Sequence, residues 1–152
     1  MKKLDPESLK IRPMTEQDLD SIVAIDNMYF ETDRPDYYRE KLAAATRGAG
    51  INTSFVAEIS GEVVGFIIGA LYTGEFGIPE MTANLDTIGV HPRAAGQGCA
   101  GKLLAQFIAH MRILGVTTIH TLVDWNDKKL LLFFQRSGFS PSKRLSLQLD
   151  LD

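Results

Sequence analysis

From Val90 to Met111 the chain reads VHPRAAGQGCAGKLLAQFIAHM, and residues 96–101 spell G-x-G-x-x-G: Gly96, Gln97, Gly98, Cys99, Ala100, Gly101. Small residues let backbone approach a ligand closely, and the N–H groups of a helix's first turn have no partner inside the helix. With the helix dipole behind them they favour an anion, above all a phosphate. Three readings are open. A dinucleotide site needs glycines directly off a parallel strand and an acid roughly 20 residues on. Asp124, 23 residues past Gly101, fits the second demand, but His91-Pro92-Arg93-Ala94-Ala95 separates strand from glycines. Only 51 residues follow Gly101, too few for the remaining parallel units. The other readings are a different diphosphate carrier, or a glycine-rich turn that holds nothing.

Bulk properties narrow the classes. At 152 residues the chain fits a single domain, 1–152, with a proper core. A formal charge of −3 gives no basic footprint, so nucleic acid is not an expected partner. No apolar run reaches the roughly 18 residues of a membrane helix, and the start MKKLDPESLKIRPM lacks the apolar core of a secretory signal. One cysteine excludes an internal disulfide and suits a reducing compartment, so the cytoplasm is expected.

The elements that must carry the glycine turn follow from periodicity. Leu9 to Met14 alternates as a first strand, and Thr15-Glu16-Gln17-Asp18 resembles a capping box ahead of Leu19, Ile22, Val23, Ile25 and Met28 at helical spacing. A second helix is expected over Pro35 to Thr46, punctuated by Gly48 and Gly50. Residues 54–59 and 62–69 read as a hairpin joined at Ser60-Gly61. Tyr72 to Met81 is expected to be a loop and Asn84 to Val90 a strand. From Gly98, Leu103, Leu104, Phe107, Ile108, Met111 and Leu114 form a helical stripe ended by Gly115. Val116 to Trp125 reads as a strand, Asp127 to Ser137 as a helix with Gly138 as C-cap, and Leu145 to Leu151 as a last, strictly alternating strand. The order is that of a mixed α/β or α+β domain.

The residues V-H-P-x-x-x-G-Q-G-x-A-x-x-L-L, Val90 to Leu104, resemble the acetyl-CoA motif of the GNAT superfamily of N-acetyltransferases. The family's Q/R-x-x-G-x-G/A falls on Ala95-x-x-Gly98-x-Ala100, and its closing helix followed by G-F is similar to Phe133-Phe134-Gln135-Arg136-Ser137-Gly138-Phe139. The resemblance implies a central mixed, mostly antiparallel sheet flanked by helices, with splayed central strands. Two positions depart from the pattern. The usual Arg or Gln is Ala95, with Arg93 two residues earlier as a substitute, and the family's tyrosine acid is matched by Phe134.

What the resemblance implies is direct transfer from acetyl-CoA, a co-substrate, to a primary amine of a small molecule or peptide. The pantetheine would pair with Ile88, Gly89 and Val90, and the pyrophosphate would lie on the amides of Gly96, Gln97, Gly98, Cys99, Ala100 and Gly101. Asn126, or its neighbour Asp127, stands where the family contacts the pantetheine, and Asn126 is equally an N-cap for the last helix. Phe133 and Phe134 are core residues or border the thiol end. The acceptor ammonium must lose a proton. Asp86 is the first candidate base, on the assumption that 86, 88 and 90 share a strand face; a strand-end acid paired with a lysine is the alternative. Glu75 and Glu80 are further candidates. Cys99 reads as a helix-head nucleophile or a small core residue. His91 reads as a cap, His120 as a core histidine and His110 as exposed; the three have no metal-ligand spacing. Tyr29, Tyr37 and Tyr38 serve the acceptor pocket, act as acid, or pack.

The expected protein is a cytoplasmic N-acetyltransferase without a metal, and a possible homodimer through its last strand. A CoA-binding sensor without turnover and a nicotinamide-linked oxidoreductase are the alternatives.

Overall fold

The structure, a computed structural model, describes residues 5–30, 34–47 and 52–152. Gly48 and Gly50 lie outside the described residues. Two compact units divide the chain at Thr121 and Leu122.

The first unit is a five-stranded sheet in the order β1 (Leu9–Pro13), β2 (Phe55–Ile59), β3 (Glu62–Thr73), β4 (Met81–Val90), β5 (Thr118–Thr121). The first four strands form an antiparallel meander, and only β4 with β5 is parallel. This is the mixed, mostly antiparallel sheet expected. It also removes the dinucleotide reading, which needs a doubly wound parallel sheet. Ser60 (φ 53°) and Gly61 (φ 82°) are both left-handed, as a two-residue turn matching strand twist requires, and they set the β2–β3 hairpin. Strands β3 and β4 run further than the sequence suggests: residues 71–73 and 81–83 pair with one another, leaving a loop of 74–80 only.

Helices cover both faces of this sheet. On one face lie α1 (Leu19–Asn27) and α2 (Pro35–Arg47), where Ile22, Ile25, Tyr38 and Leu42 pack with Met14, Val56, Phe66 and Ile68. Removing a large apolar side chain from water is worth about 1.5–3 kcal/mol, so this cluster is a main source of stability. The N-terminus of the first helical segment is tied down by Asp18, whose carboxylate accepts from Thr15 N–H at 2.8 Å and from Arg12 at 2.7 and 2.9 Å. On the opposite face α3 (Cys99–Ile113) buries Leu103, Leu104, Phe107 and Met111, the stripe its sequence spacing marks. Gly69 permits that approach: a Cβ there would stand 2.3 Å from Phe107 Cε2.

The second unit carries α4 (Lys128–Arg136), with Asp127 Oδ1 accepting from Leu130 N–H at 3.1 Å as its N-cap and Gly138 (φ 98°) behind its C-terminus. Phe134 is buried, with ring centroids of Phe133 and Phe139 at 5.3 and 5.0 Å. The expected strand 145–151 does not form; Leu145, Leu147, Leu149 and Leu151 are all exposed. Alternation selects the residues of one face, but a strand also needs an edge to bond. The strand expected over 116–125 is likewise confined to Thr118–Thr121, the residues that pair with β4.

Candidate functional site

The site is built on the C-terminal half of β4. Pairing with β3 runs Gly65↔Val90, Phe66↔Gly89, Ile67↔Ile88 and Ile68↔Thr87, then jumps to Gly69↔Leu85. Asp86 is the extra residue of a β-bulge, and bulges bend the strand that carries them. Strand β5 pairs with β4 only over Thr82–Leu85. Beyond Leu85, β4 therefore has, among the described residues, a strand neighbour on one side alone, and this is the splay. His91 N–H donates to Val64 O at 2.7 Å. By antiparallel alternation, the peptide groups of Gly89 and Thr87 then face β3 while those of Ile88 and Val90 point out from the free edge.

The bulge also corrects an expectation about faces. A Cβ on Gly89 would stand 2.8 Å from Phe66 and 3.6 Å from Ile25, so this position faces α1. Asp86 Oδ2 lies 3.0 Å from Lys41 Nζ on α2. Residues 86 and 89 thus share a face, which an uninterrupted strand forbids, and Asp86 does not share one with Ile88 and Val90. The Asp86 side chain is only 20% exposed although the residue as a whole is open; its backbone is what the splay uncovers. Burial lowers the pKa of Lys41, but the hydrogen bond and charge of Asp86 outweigh it and leave the ammonium above the ordinary lysine value.

From Val90 the chain enters a short helical turn, Pro92–Ala94, capped by His91 Nδ1, which accepts from Arg93 N–H at 3.1 Å. His91 is thus the cap the sequence suggests. Gly96 (φ 76°) and Gly98 (φ 77°) are left-handed, a conformation other residues enter at a cost, and they turn the backbone into α3. Gly98 is the N-cap and brings no side chain to the cap; its carbonyl accepts the first helical bond, from Lys102 at 3.0 Å. The N–H groups of Cys99, Ala100 and Gly101 precede that bond and have no acceptor inside the helix. A Cβ on Gly96, Gly98 or Gly101 would meet nothing within 4 Å, so the turn opens outward. Gln97 Oε1 is buried without a hydrogen-bond partner, while Gln97 Nε2 donates to Arg93 O at 3.3 Å. Amides, a dipole and an unmet polar atom together suit a diphosphate with a hydrogen-bonding arm. Arg93 Nη1 stands 3.9 Å from Glu62. Ala95 is exposed and adds no charge.

The Cys99 side chain points the other way. It is 2% exposed, its Sγ lies 2.9 Å from where a Gly65 Cβ would stand, and burial pushes its pKa up to about 11 despite Lys102. A neutral, enclosed thiol is a core residue and no nucleophile.

The remaining candidates separate clearly. Tyr38 is fully buried, and its hydroxyl donates to Asp26 Oδ1 at 2.7 Å; burial and that bond push its pKa above the usual phenol range. Tyr37 is partly exposed, and its ring lies 5.7 Å from Lys41 Nζ. Tyr29 donates its hydroxyl to Val90 O. Glu80 is exposed, and the Glu75 side chain lies outside the described residues. His120 is half-buried on β5. His110, expected at the surface, is half-buried with its ring edge-on to Phe55 at 5.4 Å. Among the described residues no three His, Cys, Asp or Glu side chains gather as a metal site. In the second unit Asn126 is exposed and Asp127, not Asn126, caps α4.

Sequence reasoning missed Lys41, which lies 45 positions from its partner, and the contact of Tyr29 with β4. It also missed the buried carboxylate of Asp26, which holds Arg34 at 2.6 and 3.1 Å. No local pattern marks any of these pairs.

Comparison with known proteins supplies the context for this geometry. Residues 19–139 match the family described as Acetyltransferase (GNAT) family. Mycothiol acetyltransferase of Propionibacterium freudenreichii subsp. shermanii is 27% identical over 147 residues, covering 89% of this chain and 44% of that protein. The chain thus spans less than half the length of that curated relative. Among solved structures, the aminoglycoside N-acetyltransferase AAC(6')-Iy in complex with CoA superposes with a TM-score of 0.77 at 17% identity, over 93% of this chain and 94% of the other. The ribosomal-protein-alanine N-acetyltransferase of Brucella melitensis biovar Abortus 2308 gives 0.75 at 14% identity, over 95% and 99%. At these identities the structures establish a shared fold.

Proposed function

Since the chain belongs to the GNAT family of acetyltransferases, we propose that it moves the acetyl group of acetyl-CoA directly to a primary amine of a small molecule or peptide. One observation carries this reading: the outer edge of β4 at Ile88 and Val90, which no strand pairs among the described residues, runs straight into the amide-rich turn 96–101 that opens α3. A strand-like pantetheine adds to the first and a diphosphate to the second. Relatives with CoA bound and with amine acceptors in their names support the same choice. The family match crosses both compact units, which supports one acyltransferase domain over 1–152.

In this mechanism acetyl-CoA supplies an activated thioester, and the chain supplies position and polarity. The outward peptide groups of Ile88 and Val90 orient the arm, with the N–H of Ile88 as an oxyanion donor, while the peptide groups of Gly89, expected to pair with the arm, are turned to β3. The amides of Gly96, Gln97, Gly98, Cys99, Ala100 and Gly101 hold the diphosphate, with Arg93 in the place left by Ala95. Asp86 stands on the α1–α2 face of the bulge. Its Oδ2 is engaged by Lys41 Nζ at 3.0 Å, so the ammonium proton leaves through water toward Asp86.

Calorimetry with acetyl-CoA, followed by free-thiol release with a panel of primary amines, tests the proposal. Binding with turnover supports it; absence of binding removes it. A CoA-binding sensor is the second reading, favoured by Ala95 at the turn and by Phe134, which has no hydroxyl and is buried between Phe133 and Phe139. Binding without turnover on any amine would establish that reading. The reading also includes a cytoplasmic setting, which the lone buried thiol of Cys99 suits, and a homodimer through the exposed leucines of 145–151.

A further inference from the structure

At the free edge of β4 one acceptor is already engaged. Tyr29, two residues past the end of α1, donates its hydroxyl to the carbonyl of Val90. That carbonyl points out from the sheet, as the alternation set by His91 N–H requires. It is the group to which an added strand's N–H would donate.

The phenol is held there from behind. Asp26, one turn earlier, is buried; its carboxylate accepts from Arg34 and from the Tyr38 hydroxyl. The carbonyl of Asp26 accepts from the N–H groups of Tyr29 and Phe30, each at 3.0 Å. The anchor is therefore firm, while Tyr29 itself is 57% exposed and has little packing to fix it. The bond from the Tyr29 hydroxyl to Val90 ties this end of α1 to β4.

We propose that Tyr29 is a positioning residue that latches the cofactor edge: acetyl-CoA must take the Val90 carbonyl from the phenol before its arm can lie along β4. Release frees the end of α1, which forms part of the face on which Asp86 stands. The inference rests on the reading of β4 as the strand that carries acetyl-CoA.

The test compares wild type with Tyr29→Phe, which keeps the ring and removes the donor. With one competing hydrogen bond lost, Tyr29→Phe should bind acetyl-CoA roughly three- to tenfold more tightly by calorimetry, mainly through faster association in stopped flow. In wild type, added acetyl-CoA should speed hydrogen exchange at the amides of Tyr29 and Phe30; in Tyr29→Phe these should exchange fast from the start. A merely structural role would not link cofactor binding to those two amides. Equal or weaker binding by Tyr29→Phe, or exchange indifferent to acetyl-CoA, overturns the latch and leaves the site reading intact. A wild-type protein that binds no acetyl-CoA at all removes both.

Discussion

Lys41 Nζ lies 3.0 Å from Asp86 Oδ2, joining the middle of α2 to the bulge of β4. The carboxylate that the sequence offers as a base is thus an ion-pair partner as well, and it stands on the α1–α2 face.

Asp86→Asn should lower kcat about 100-fold, the scale of a lost proton relay, while leaving the Kd for acetyl-CoA within roughly twofold. A fully active variant would remove Asp86 from the mechanism. Steady-state kinetics alongside calorimetry gives both numbers.

The same pair predicts a pH dependence of stability. Lys41 titrates above the ordinary lysine value in the folded protein. Its contribution is therefore fully present below the unfolded value near ~10.4 and is lost as pH rises through the higher folded one. With both side chains partly exposed, Lys41→Met should cost no more than about 1 kcal/mol at neutral pH. Urea unfolding should show that difference shrinking above roughly pH 10.5, and a difference that grows with pH would reverse the assignment.

Gly98→Ala probes the turn. The new methyl meets nothing in the free protein, but φ of 77° makes it strained by about 1–2 kcal/mol. It should also intrude on a bound diphosphate, so acetyl-CoA affinity should fall at least about tenfold, beyond what strain alone explains. Unchanged affinity in the folded variant would mean that the turn does not hold the diphosphate.

Gly69→Ala places a methyl 2.3 Å from Phe107 Cε2 and 3.1 Å from Asn84 O. Neither the ring in its core nor the strand can yield freely, and the expected loss is about 1–3 kcal/mol in chemical unfolding. Gly101→Ala, in a helix with open space around it, is the control and should stabilise by about 0.5–1 kcal/mol. Equal effects of the two would mean that α3 does not pack on β3 as described.

The single thiol offers a check on the core. Cys99 is enclosed, with its pKa pushed up to about 11, so an aromatic disulfide reagent at pH 8 should label the native protein only at the rate of its opening. Full labelling should appear on unfolding. Prompt native reaction would show that the head of α3 is open.

Much of this molecule is legible along the chain. The stripe of Leu103, Leu104, Phe107 and Met111, the turn at Ser60-Gly61 and the alternation into Val90 are local signals, because helical and strand periods are set by neighbouring residues. The glycines of 96–101 are legible for the same reason: backbone freedom and helix-end polarity belong to the residues themselves. Local pattern misleads where a partner is needed. The leucines of 145–151 alternate without forming a strand, and Asp127 rather than Asn126 takes the cap.

By itself, the sequence determined most of the helices and strands, 145–151 and the ends of 116–125 excepted, and that a glycine-rich turn follows Val90, since both depend on spacing within a few residues. Tertiary structure alone decided that Asp86 is a bulge residue facing Lys41, that β5 leaves β4 after Leu85, and that Tyr29 reaches the Val90 carbonyl. Those relationships join residues 36 to 61 positions apart in sequence. They exist only once the sheet's register and the seating of α1 and α2 bring distant polar groups within hydrogen-bond reach.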